Sequence, residues 1–70
     1  MAKSSVYKLV EIVGTSPDSI ADAVRNGVER ASSTLKNVDW FEVGEVRGNV
    51  VDGKVSQFQV VIKVGFRLED

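Results

Sequence analysis

Two long β-prone runs, Asp39 to Val51 and Val55 to Leu68, meet at Asp52-Gly53. That dipeptide between apolar runs is the strongest short hairpin signal a sequence can carry, and it constrains everything upstream. Val6 to Val13 (VYKLVEIV) is rich in β-branched and apolar residues and stops at Gly14, which predicts a first strand with both faces at least partly covered. Thr15-Ser16-Pro17-Asp18 then reads as a helix start: Ser16 caps, Pro17 suits the first helical position and Asp18 lies in the first turn. Apolar residues recur at Ile20, Val24, Val28, Ala31 and Leu35, one helical stripe, and Lys36-Asn37 supplies a cation and a stop. The order strand, helix, strand, strand predicts an α+β fold of β-α-β-β type. The most economical arrangement is a split βαβ, in which the helix crosses over and the third strand inserts between the first two, antiparallel to both. One helix then covers one face of a three-stranded antiparallel sheet, and the other face has no partner within the chain.

A chain of 70 residues buries only about 60% of the surface its unfolded form exposes. Small domains recover the missing stability from disulfides, structural metals or self-association. There are no cysteines and no histidines, so disulfides, Cys/His zinc sites and catalytic Ser/His or Cys/His pairs are excluded. Oligomerisation is the route left. Nine Lys and Arg against ten Asp and Glu give a net charge of -1, which is not the basic footprint of a nucleic-acid binder. Lys8 and Glu11 interrupt the apolar run behind the N-terminus, so no signal peptide is expected, and nothing approaches the ~20 apolar residues of a membrane helix. A cytoplasmic protein is the expectation, with neither membrane nor nucleic acid as partner. No linker, repeat or low-complexity tract breaks the chain, and residues 1–70 read as one domain.

A two-residue turn at Asp52-Gly53 places Val51 opposite Lys54 and sets the hairpin register. The third strand's even positions Phe58, Val60, Ile62, Val64, Phe66 and Leu68 form an unbroken apolar row that must face the helix. Its odd positions face away, opposite Trp40, Glu42, Gly44 and Val46 of the second strand. The single tryptophan thus stands opposite Gly65 on the open, more polar face, with Glu42 opposite Lys63. Trp40 there either anchors a contact with another subunit or offers a flat indole to a planar aromatic ligand, with Gln59 or Gln57 supplying amide groups to its edge. The two roles are compatible, since a tryptophan at a two-fold axis meets its own symmetry mate. The same parity sends Arg47 to the helix side opposite Phe58, and Glu45 opposite Val60. Two charges on that face are anomalous, and a bulge near Gly44 or Gly48 would reverse them. The first strand's inward face stays open, because both parities carry apolar residues.

The segments Val13-Gly14-Thr15-Ser16, Asp39-Trp40-Phe41-Glu42-Val43, Val46-Arg47-Gly48, Phe58-Gln59-Val60-Val61 and Val64-Gly65-Phe66-Arg67-Leu68-Glu69, in this order, resemble the dodecins from about Tyr7 to Glu69. The resemblance implies a small flavin-binding protein that assembles as a hollow homododecamer and holds flavins in pairs between symmetry-related tryptophans. It implies Trp40 as the stacking residue and Gln59 as the amide on the flavin ring. It also implies that Arg47 contacts the flavin or its phosphate, favouring FMN over riboflavin, with FAD a further alternative. Some bacterial members are thought to hold coenzyme A at basic surface positions, for which Lys3, Lys8, Arg30 and Arg67 are the contributors to consider. The family resembles a flavin store or quencher more than an enzyme.

The residues give no support to catalysis. Nothing sets two carboxylates about a cleft, and Gly44-Glu45-Val46-Arg47-Gly48 opens no helix, so it is neither a P-loop nor a dinucleotide fingerprint. Two other classes compete with flavin binding. A sheet platform could stack single-stranded RNA bases, but one exposed aromatic beside Glu42 suits that poorly. A structural oligomer without ligand would bury Trp40 in protein alone.

Overall fold

The computed structural model describes residues 4–69. The elements are β1 (Tyr7–Ser16), α1 (Ile20–Ser32), β2 (Val38–Val51) and β3 (Lys54–Arg67), and the sheet order is β1-β3-β2 with both pairings antiparallel. The β-α-β-β architecture expected from the pattern is what forms. Asp52 and Gly53 carry φ of 51° and 75°, the left-handed pair that a tight hairpin turn requires.

The helix begins later than the sequence suggests. Ser19, not Ser16, is the cap, its side chain accepting from the Asp22 N–H at 2.9 Å. Ser16 ends β1 fully buried. Its hydroxyl donates to Asp22 Oδ2 (2.8 Å) and accepts from the Asp18 N–H (2.9 Å), so it joins strand to helix by satisfying groups that burial would otherwise strand. The helix stops at Ser32, with Ser33 as its C-cap, short of Lys36-Asn37. Asn37 instead sits at φ 65° and fastens the start of β2 to the end of β3: its carbonyl accepts from the Arg67 N–H (3.0 Å) and its Nδ2 donates to the Arg67 carbonyl (3.2 Å).

The helix buries a stripe centred on small residues. Ala23, Gly27 and Ala31 are buried, while Val24, Val28 and Leu35 pack at the margin and Ile20 is exposed. Close approach is the reason: a Cβ on Gly14 would run into the Ala23 carbonyl, and one on Gly27 would lie 2.7 Å from Ile62 Cδ1. Bulky residues at the centre would hold helix and sheet apart. Val60, Ile62 and Val64 of β3 are fully buried beneath it, as their parity predicts, and Val10 and Ile12 of β1 pack against them. The even residues of β1 therefore face the helix, which settles the face that the sequence left open.

Candidate functional site

The side of the sheet away from the helix carries the polar residues and the tryptophan. Trp40 pairs with Gly65 across the β2–β3 ladder, and Leu9 of β1 pairs with the same glycine from the other side. A Cβ on Gly65 would collide with the indole at Cδ2, Cε2 and Cζ2 together. Contact with several ring atoms at once means that one indole face lies over the glycine backbone, which any side chain there would fill. The indole is 41% exposed, and its other face is open. Tyr7, two positions before Leu9, stands beside it with ring centroids 4.9 Å apart and planes tilted by 59°, a favourable aromatic geometry. The sequence offered no signal for Tyr7, because β1 is apolar at both parities.

Gln59 lies on the same face, where parity put it, but not beside Trp40. Gly65 and Gln59 are six positions apart on β3, roughly 20 Å along an extended strand. Arg47 corrects the simple register. It pairs with Gln59, and Val46 pairs with Val60, so Arg47 belongs to the open face and Val46 to the helix side, the reverse of a straight two-residue alternation. Two register shifts cause the exchange. Val50 faces Val55 but Asn49 faces Gln57, leaving Ser56 as an extra residue on β3; between Val43 and Val46 the extra residue is on β2. The second shift, at Gly44-Glu45, is one of the places the glycines marked. Because the shifts lie on opposite strands they cancel, so the expected opposition of Trp40 to Gly65 and Glu42 to Lys63 holds beyond them.

Between the shifts, the open face gathers Arg47 and Asn49 from β2, Gln57 and Gln59 from β3, and Thr15 opposite Gln59 on β1. Arg47 lies 3.5 Å from Glu45 with both side chains largely exposed, an ion pair of little strength. Gln59 Nε2 donates to Gln57 Oε1 at 3.1 Å. In the middle of the face Lys63 is paired with Glu42 on one side and Glu11 on the other. This face is therefore an aromatic seat at one end and an amide and guanidinium patch at the other, separated by a charged row. An aromatic seat for a planar ring and donors and acceptors for a polar ring edge are the groups a flavin needs. The basic residues considered for coenzyme A do not share one element: Arg67 pairs with Tyr7, Lys8 pairs with Phe66, Arg30 is helical, and Lys3 lies outside the described residues. Among the described residues no three acidic side chains converge as metal ligands, and no helix is long and apolar enough to cross a membrane.

Comparison with known proteins gives one family. The Dodecin family model matches residues 6–69. The chain is 49% identical over 65 residues to the dodecin of Thermus thermophilus, covering 93% of this chain and 94% of that protein. It superimposes on the structure of dodecin from Streptomyces davaonensis with a TM-score of 0.94 at 53% identity, covering 97% of this chain and all of that one. It is also 33% identical over 66 residues to the calcium dodecin of Mycobacterium tuberculosis, with 91% of this chain and 90% of that protein covered. A family match across nearly the whole chain, with the fold reproduced in detail, means that this protein belongs to the dodecin family.

Proposed function

We propose that this chain is a non-catalytic, cytoplasmic flavin-binding protein whose single dodecin-like domain, residues 1–70, assembles into a hollow homododecamer and sequesters flavin. FMN is the preferred ligand, with riboflavin and FAD as alternatives. The observation that carries the reading is the indole of Trp40, seated flat on Gly65 with its other face open. A planar ring stacks on such a face without displacing any side chain. Gln59 supplies the amide for the ring edge, and Arg47, directly across from it, supplies donors suited to a phosphate.

The separation of Trp40 from Gln59 supports the oligomeric part of the proposal. One ring cannot lie on the indole and reach an amide roughly 20 Å along the same strand. A second copy that brings its polar patch to the first copy's tryptophan completes the site, and a two-fold arrangement does so reciprocally. Pairing of flavins between symmetry-related tryptophans requires a two-fold contact at Trp40 separate from the contact that brings the amide, which an assembly of more than two copies provides.

A bound flavin supplies a ring that absorbs visible light. Trp40 is an electron-rich side chain that would hold such a ring and would quench its excited state by reversible electron transfer, returning the energy as heat. Storage rests on the same geometry, since many identical sites release ligand by mass action as free flavin falls. Coenzyme A is a secondary ligand in this reading, with Lys8 and Arg67 on the adjacent strands β1 and β3 and Arg30 on the helix as the basic contributors among the described residues, and calcium is left as a property of the named relative.

The test is a titration of apoprotein with FMN and riboflavin followed by flavin fluorescence. Strong quenching by the wild type is expected. Trp40→Phe should keep stacking but lose much of the quenching, and Trp40→Ala should lose at least tenfold in affinity, about 1.4 kcal/mol or more. A Trp40→Ala protein that binds flavin and quenches it fully would overturn the assignment.

A further inference from the structure

Trp40 and Tyr7 meet although they stand on the two outer strands of the sheet. The strand order is β1-β3-β2, so β3 runs between them, and neighbouring strands lie about 4.8 Å apart. Strand side chains ordinarily stand roughly perpendicular to the sheet, and two rings standing so on β1 and β2 would be about 10 Å apart or more. Their centroids are 4.9 Å apart. The indole is therefore laid across β3 toward β1, over Gly65, where a Cβ would overlap Cδ2, Cε2 and Cζ2.

Gly65 supplies only the floor of this arrangement. Rotation about χ1 to another staggered well would carry the indole off the glycine, and the floor alone does not oppose it. Tyr7 does. Its ring meets the indole at a tilt of 59°, an attractive aromatic geometry, and it makes the one aromatic pair found among the described residues. Its own place is fixed by the ladder, opposite Arg67, and the Leu68 N–H donates to the neighbouring Val6 carbonyl at 2.8 Å. Tyr7 and Trp40 are each 41% exposed and neither belongs to the core beneath the helix, so packing of the fold does not account for the contact. We propose that Tyr7 is a positioning residue: it holds the Trp40 indole in the orientation on which a planar ring stacks, so that binding does not have to order it. This rests on the flavin reading and adds a determinant of affinity that acts through Trp40.

The chain has one tryptophan and one tyrosine, so tryptophan fluorescence reports position 40 alone. The experiment uses the assembled protein twice: time-resolved anisotropy of Trp40 without ligand, excited at the red edge of its band to suppress transfer between like indoles, and titration with FMN followed by flavin fluorescence. Tyr7→Phe keeps the ring and should match the wild type within about twofold in affinity. Tyr7→Ala should add fast, nanosecond depolarisation of Trp40 and weaken FMN about fivefold, because affinity scales with the population of the binding-competent orientation. Tyr7→Leu keeps apolar bulk on the strand and should act in the same direction, which carries the test if the alanine variant assembles poorly. In a Gly65→Ala background, where the indole is already off its seat, Tyr7→Ala should have no further effect. Far-ultraviolet circular dichroism and sedimentation should match the wild type throughout. Anisotropy and affinity unchanged in both Tyr7→Ala and Tyr7→Leu overturn the proposal while leaving flavin binding intact. Tyr7→Phe behaving as Tyr7→Ala overturns it in favour of a role for the hydroxyl. A wild type that binds no FMN overturns the flavin reading, and this role with it.

Discussion

Gly65 does its work by lacking a side chain. A methyl group at this position would occupy the space of the indole, so Gly65→Ala should turn Trp40 off its seat. The expected result is at least a tenfold loss of flavin affinity with the fold retained, read by fluorescence titration alongside circular dichroism. The opposition of Trp40 to Gly65 was legible because pairing counted from the Asp52-Gly53 turn regains its alternation where the two register shifts have cancelled. Arg47 was not, because it lies between them. Its charge on a supposedly apolar face was the visible symptom, and Gly44 marked the place of the correction. Tyr7 and Asn49 carried no such mark: one is an aromatic on a strand apolar at both parities, the other an amide whose partner depends on an extra residue at Ser56.

At the level of elements, the hairpin was the most legible feature and the helix boundaries the least. Asp52-Gly53 specifies a turn chemically, and both residues adopt positive φ. Gly53→Ala forces a Cβ into the left-handed region at a cost of about 1–2 kcal/mol, so its urea midpoint at fixed protein concentration should fall, with flavin selectivity unchanged. The helix start was misread because Ser16 and Ser19 both satisfy the chemistry of a cap. Burial decided between them: Ser16 is enclosed at the end of β1, where its hydroxyl links Asp22 to the turn. The helix face was read only in part: Val24, Val28, Ala31 and Leu35 of the expected stripe pack on the core, whereas Ile20 is exposed. Periodicity selects the larger aliphatics, whereas the closest contact between helix and sheet is made by Ala23 and Gly27, whose small size lets it form.

The whole molecule is elongated, 58 × 20 × 14 Å, because β2 and β3 extend past the end of β1 and the helix. Its core of buried side chains is small, Ala23, Ala31, Val60, Ile62 and Val64. The helix-side residues Phe41, Val43, Val46 and Val50 of β2 stay exposed, and a groove of about 500 Å³ lies between Phe41 and Ala21, Val24 and Val28 of the helix. Apolar surface of this kind marks a contact site, and a Cys-free, His-free chain of this length has association as its remaining route to stability. Flavin binding and assembly are thus one claim under the proposed function, in which the tryptophan and the amide that serve one ring come from different copies. Sedimentation velocity of the FMN-loaded protein, followed at the flavin's visible absorption band, tests that claim most directly. The flavin absorbance is expected to move with a single large species of dodecamer size, with none carried by monomer. Flavin left behind at the meniscus, or sedimenting with a single chain, would contradict it.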